Sequence, residues 1–176
     1  MPTTTSKRRS VRSSRAAGQG TRAKPHGFDS LEQQAFLNLW RTYDRLKAVE
    51  DALFGRYDLT AQQYNALRLL RAEYPAALQT LTLAGRLISR SPDITRLLDK
   101  LDERGLIERH RPTGNRRVVQ VAITKTGVSL LEKLAIELRD CHEKQLGHLK
   151  EKKLQTLIAL LRQARGPHEE PSELSI

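Results

Sequence analysis

The chain has 176 residues, enough for one domain with a sizeable core, and its formal net charge is +11. Hydrophobic residues make up 38%, no apolar run approaches the roughly 18 residues of a membrane span, and the start of the chain has no apolar signal region, so neither a membrane protein nor a secreted precursor is expected. One cysteine, Cys141, leaves no internal disulfide framework and suits a reducing cytosol.

Residues 1–28 hold Lys7, Arg8, Arg9, Arg12, Arg15, Arg22 and Lys24 and no acid, so this segment alone supplies +7. It is too poor in apolar surface to offset its ordering entropy and reads as a disordered basic arm. Three uses of it compete: an arm that assists DNA binding, a tail without function, and a mitochondrial transit peptide. The last lacks an apolar face, because no Leu or aromatic precedes Phe28.

A first helix is expected over about 31–54, capped by Ser30 and ended by Gly55. Phe36, Leu39, Trp40, Tyr43, Leu46 and Leu53 recur along it at near-helical spacing. A second starts at Thr60 with Gln63 three residues on, the capping-box pattern, and runs to about Ala72 before Pro75. A short third helix covers about 81–88. Ser91 is the expected cap of a fourth, with Pro92 at its first position and Gly105 just past its end.

The period then changes. Residues 106–109 read as a short strand, Pro112-Thr113-Gly114-Asn115 as a turn, and Val119, Val121 and Ile123 alternate with Gln120 and Ala122 as a second strand. Together they predict a β-hairpin. Thr124 is placed to cap a fifth helix over about 125–146, with Leu130, Leu134 and Leu138 along one stripe. A sixth covers about 152–163, and residues 166–176 form a polar tail. The fold class is therefore mainly α with one small hairpin.

The third and fourth helices stand about three residues apart. Leu83, Ala84 and Leu87 on one, and Ile94, Leu97, Leu98 and Leu101 on the other, share a core, and Ala84 permits a close crossing. This is helix-turn-helix geometry, whose second helix lies in the DNA major groove. With Ile94 centred on the buried face, Arg96 lies at about 200° and Asp99 at about 140°, both pointing outward. Arg90 and Ser91 crowd the helix N-terminus, which favours a phosphate. Arg96 can donate two hydrogen bonds to guanine, Thr95 can touch a base edge, and Lys100 flanks them. Asp99 and Glu103 argue that only the first turns meet DNA. After the helix comes a hairpin tip with Arg111, Arg116 and Arg117, suited to a narrow minor groove. Residues 86–117 carry nine Lys or Arg against five acids, a basic stripe expected of a polyanion binder.

The stretch LAGRLISRSPDITRLLDKLDERGLIERHRPTGNRRVVQVAITKTG, residues 83–127, resembles the winged-helix core of the MarR family of bacterial transcription regulators. The likeness rests on the Thr-Arg-Leu-Leu-Asp-Lys-Leu helix, the Arg-Gly-Leu-Ile-Glu-Arg step, the Arg-Arg-Val-Val-Gln-Val strand and the Ile-Thr pair ahead of Gly127. With the flanking helices it extends over roughly 29–165. The resemblance implies a winged helix-turn-helix core over about 60–124, between dimerisation helices at about 30–55 and 125–165. It implies a cytoplasmic, nucleoid-associated bacterial homodimer that reads a pseudo-palindromic operator in double-stranded DNA. Many members are repressors released by small aromatic or phenolic ligands. Thr95 and Arg96 fall in the recognition helix and Arg117 on the wing arginine. The family usually has Asp two residues before that arginine, where this chain has Asn115, so the ion pair that would stiffen the wing is absent.

Other readings carry less. The peroxide-sensing branch has its reactive cysteine in the first helix, which here has none, so Cys141 is expected to be an inert interface or surface thiol. The five histidines do not converge, and no metal or cofactor is expected. Trp40 and Tyr43 are candidates to line an effector pocket, although a core would show the same spacing. No phosphate loop, nucleophile elbow or paired acid appears, which argues against an enzyme. A non-specific nucleic-acid or nucleoid protein driven by the basic arm stands as the alternative, and a wing domain turned protein-interaction module as a third.

Overall fold

A computed structural model of the chain describes residues 27–88, 93–112 and 118–169. The chain divides into two units, residues 1–40 and 41–176. Helix α1, Leu31–Gly55, begins in the first and ends in the second. As expected, Ser30 caps it: the hydroxyl accepts from the Gln33 amide at 3.1 Å. Within the first unit the rings of Phe36 and Trp40 lie tilted at 53° to one another with centroids 6.4 Å apart.

In the second unit α2, Ala61–Glu73, opens with the predicted capping box. Thr60 Oγ1 accepts from the Gln63 amide, and the Gln63 side chain accepts from the Thr60 amide at 2.9 Å. Strand β1, Leu78–Gln79, leads into α3, Thr80–Arg86. Helix α4, Ile94–Glu103, is followed by β2, Ile107–His110, and β3, Gln120–Ile123. Then come α5, Lys125–Leu146, and α6, Glu151–Arg165, with a 3₁₀ turn at Gly166–His168.

The expected hairpin is present as the antiparallel pair β2–β3, in register Ile107 to Ile123 and Arg109 to Val121. It is one part of a three-stranded sheet ordered β1-β3-β2, because Leu78 pairs with Val121. Two residues carry too little alternation to read as a strand, so β1 escaped the sequence. Helix α3 ends at Arg86 rather than at 88, and α4 begins at Ile94. The expected polar tail, residues 166–176, opens with a 3₁₀ turn over Gly166–His168.

The core gathers Leu53 and Phe54 of α1, Leu67 and Leu70 of α2, Leu83 of α3, Leu98 and Leu101 of α4, Val121 of β3 and Leu134 of α5. Each turns its apolar stripe to the same interior. Ile94 is only half-buried, so the inward face of α4 centres on Leu98 and Leu101 instead. On α5 the buried stripe runs Leu131, Leu134, Leu138, Cys141, with Leu130 at its margin. Cys141 is thus neither a surface thiol nor in need of a partner chain to cover it. It is 6% exposed within the core, and burial pushes its thiol above the ordinary range.

Gly127 has a steric reason. A Cβ there would lie 2.3 Å from the Leu106 carbonyl oxygen and 2.7 Å from Ile123 Cγ1. The first turn of α5, capped by Thr124 Oγ1 on the Gly127 amide, presses directly on the end of β3.

The apolar residues of α1 divide sharply. Leu53 and Phe54 are buried, whereas Phe36, Leu39, Trp40, Tyr43 and Val49 are exposed, Trp40 at 61% and Tyr43 at 58%. The helical spacing of Trp40 and Tyr43 therefore does not place them in the core of a single chain. Helix α6 has no buried residue, and Ile158 and Leu160 are exposed on it.

Candidate nucleic-acid interface

The site is built on α4. Asp93, not Ser91, is its N-cap: Oδ1 of Asp93 accepts from the Arg96 amide at 2.9 Å. Both residues have cap chemistry, and Pro92 between them fits either frame, so the sequence could not choose. The helix ends as predicted. Gly105 takes φ +64°, its amide donates to the Asp102 carbonyl at 2.8 Å, and the Leu106 amide donates to the Leu101 carbonyl at 3.0 Å. These are the two bonds of a Schellman motif.

Thus held, α4 splits into faces. Leu97, Leu98 and Leu101 point into the core, while Thr95, Arg96, Asp99 and Lys100 are exposed. Among the described residues neither Arg96 nor Lys100 has an ion-pair partner. The two cations lie one turn apart on one stripe, free for a polyanion. Arg111 is exposed just beyond β2. Four other residues of the expected DNA-facing set, Arg90, Ser91, Arg116 and Arg117, lie outside the described residues, as does Asn115.

A neighbouring stripe of α4 belongs to Arg109 of β2. Its guanidinium pairs with Asp99 Oδ1 at 2.8 Å and donates to the Thr95 carbonyl at 3.4 Å. Nε of Arg109 is buried, 3.7 Å from Asp102 Oδ2, within ion-pairing range but beyond hydrogen-bond length. Beside this contact a cleft of about 770 Å³ is lined by Thr95, Leu98, Asp102, Arg109, His110 and Arg111, among others. At the far end of α4, Arg104 donates to the backbone carbonyls of Tyr57 at 2.9 Å and Asp58 at 2.5 Å. Tyr57 in turn donates through its hydroxyl to Glu137 of α5, and Arg56 pairs with the same carboxylate at 2.5 Å. The Tyr57 hydroxyl titrates above its ordinary value because of that hydrogen bond.

The contacts of Arg109, Asp102 and Arg104 at α4 are therefore ones that the sequence reading missed. The visible signal was the acid spacing Asp99, Asp102 on a helix otherwise suited to DNA. Among the described residues no three His, Cys, Asp or Glu side chains gather as a metal site, and no helix is long and apolar enough to cross a membrane.

Comparison with known proteins points in one direction. The sequence model of the MarR family matches residues 59–119, from the start of α2 into the wing. The chain is similar to the crystal structure of a MarR transcription factor from Planctomyces limnophilus, at 54% identity, covering 77% of this chain and 98% of that one, with a TM-score of 0.63. The homoprotocatechuate degradative operon repressor of Escherichia coli is 28% identical over 106 residues, 60% of this chain and 70% of the repressor. The fold is shared with Bordetella bronchiseptica BpsR, whose DNA binding is regulated by 6-hydroxynicotinic acid, at 22% identity and a TM-score of 0.70 over 82% of this chain and all of that one.

Proposed function

Because the chain belongs to the MarR family, we propose that it is a transcription regulator that binds a pseudo-palindromic operator as a homodimer and releases it on binding a small ligand. It acts by binding, not catalysis, at the nucleoid of a bacterial cytoplasm, and repression is the favoured direction.

The observation that carries this reading is the division of α4. Three leucines lock the helix to the core while Thr95, Arg96 and Lys100 stand exposed beside a basic strand end. A helix held from behind and cationic in front is what major-groove docking requires. The proposed contacts are Thr95 and Arg96 on bases, Arg90, Ser91 and Lys100 on phosphates, and Arg111, Arg116 and Arg117 along the wing. The core over about 60–124 reads DNA, and the helices at about 30–55 and 125–165 form the dimer.

For the effector we favour a small aromatic or phenolic acid. Trp40 and Tyr43 are each offered as a contact, on the strength of their exposure on α1.

Two substitutions test the assignment on an operator selected with the wild type. Arg96→Ala relaxes base preference at one position of each half-site, by about 1–3 kcal/mol, while Arg117→Ala weakens all sequences alike. Wild-type binding by both variants would overturn the assignment. The seven cations of residues 1–28 give a second reading some support, that of a non-specific binder. Deleting the arm decides: loss of all binding favours that reading, and retained operator preference rejects it.

A further inference from the structure

Two carboxylates beside the base-contacting turns of α4 are costly for a DNA-binding surface, since each repels phosphate. Asp99 and Asp102 are nevertheless there, 51% and 44% exposed. What they hold is Arg109 from the wing strand, itself only 21% exposed. Thr95, Asp99 and Asp102 follow at spacings of four and three residues, so they form one stripe down a single side of α4. Arg109 meets that stripe at three points: the Thr95 carbonyl, the Asp99 carboxylate and, more distantly, the Asp102 carboxylate. The adjacent stripe, Arg96 and Lys100, is exposed and has no ion-pair partner among the described residues.

We infer that Arg109 is a positioning residue for operator recognition, locking the wing to the recognition helix through Asp99 and Asp102 so that the two DNA-reading elements dock as one body. The inference rests on the DNA-binding reading above. Apolar packing already joins β2 to α4, since Ile107 shares the core with Leu97, Leu98 and Leu101, and Arg109 adds a directional polar tie on the outer side. An arginine fork bridging strand and helix fixes the angle between them, where a lysine would supply a point charge without the second contact. Fixing the angle before DNA arrives removes the ordering cost from the binding step. The clamp also neutralises Asp99 and Asp102 where they would otherwise face phosphate.

The competing explanation is that the acids serve only to repel DNA and restrain non-specific binding. The two accounts differ in sign. Asp99→Asn removes a negative charge from the DNA-facing side. Repulsion alone then predicts tighter binding; the clamp predicts looser binding.

The experiment uses the full chain as a dimer. An operator is first selected with the wild type, and its affinity is then measured against salt for Asp99→Asn, Arg109→Gln, Arg109→Lys and the Asp99→Asn/Arg109→Gln double variant. Asp99→Asn is isosteric at an exposed position, so it keeps the test open if Arg109→Gln does not fold. The expected result is a loss of about tenfold for each single variant, with the double variant no weaker than either. The lysine does not rescue, and the slope of log affinity against log salt stays at the wild-type value. Asp99→Asn binding as well as the wild type or better overturns the clamp. So do losses that multiply to about a hundredfold in the double variant, or a slope reduced by about 0.9 in Arg109→Gln, which marks a phosphate contact. A wild type that selects no site defeats the DNA reading and the clamp with it. A wild type that selects one while Asp99→Asn binds it normally defeats the clamp alone.

Discussion

Arginines at α4 differ in what surrounds them, and their neighbours decide how. Arg96 lies in α4 and Arg104 just past its end, yet among the described residues Arg96 has no ion-pair partner while Arg104 is committed to two backbone carbonyls. Glycines differ in the same way. Gly127 sits at an ordinary helical φ, and what it supplies is absence: any Cβ would drive into the Leu106 carbonyl oxygen. Gly127→Ala is expected to destabilise the fold by about 3 kcal/mol, near the top of the range for overpacking, because backbone yields less readily than a side chain. Urea denaturation checks it: the midpoint should fall with the slope unchanged. A variant as stable as the wild type would mean that α5 and β3 part more easily than their contact suggests.

At the scale of elements, α4 is the piece on which fold and function meet. Its end depends on a left-handed residue, Gly105 at φ +64°, with open space where a Cβ would go. Gly105→Ala should therefore cost only the conformational penalty, about 1–2 kcal/mol, less than Gly127→Ala despite the stranger backbone. Calorimetry of the two variants side by side checks the order. Elements whose signals are local were legible in the sequence. The Thr60–Gln63 box, the Gly105 end and the Thr124 cap are each written within four residues, and all three occur as read. Ser91 against Asp93 was a local signal with two solutions. The Arg109 contacts left only the Asp99, Asp102 spacing as a trace in the sequence, because they join a strand to residues 7, 10 and 14 positions earlier through a tertiary packing that no local pattern encodes.

For the whole molecule, the outstanding feature is apolar surface that one chain leaves bare. Trp40 and Tyr43 on α1, and Ile158 and Leu160 on α6, are exposed large hydrophobics of a kind that marks an interface when it forms a patch. Their exposure could not be read from spacing, because spacing is identical whether the cover is the same chain or a second one. A dimer built on these helices predicts that Trp40→Glu yields monomers in sedimentation equilibrium and a melting temperature that no longer rises with protein concentration. An intact dimer in that variant would place the interface elsewhere.

The central claim is that this chain reads a DNA sequence and does not merely adhere to polyanions. The most direct measurement is the affinity of the wild-type dimer for its selected operator and for a scrambled duplex of equal length, each across a range of salt concentrations. A sequence-specific regulator should bind the operator in the nanomolar range at physiological salt, at least about a thousandfold tighter than the scrambled duplex, with affinity falling steeply as salt rises. Equal affinity for the two duplexes at every salt concentration would contradict the account.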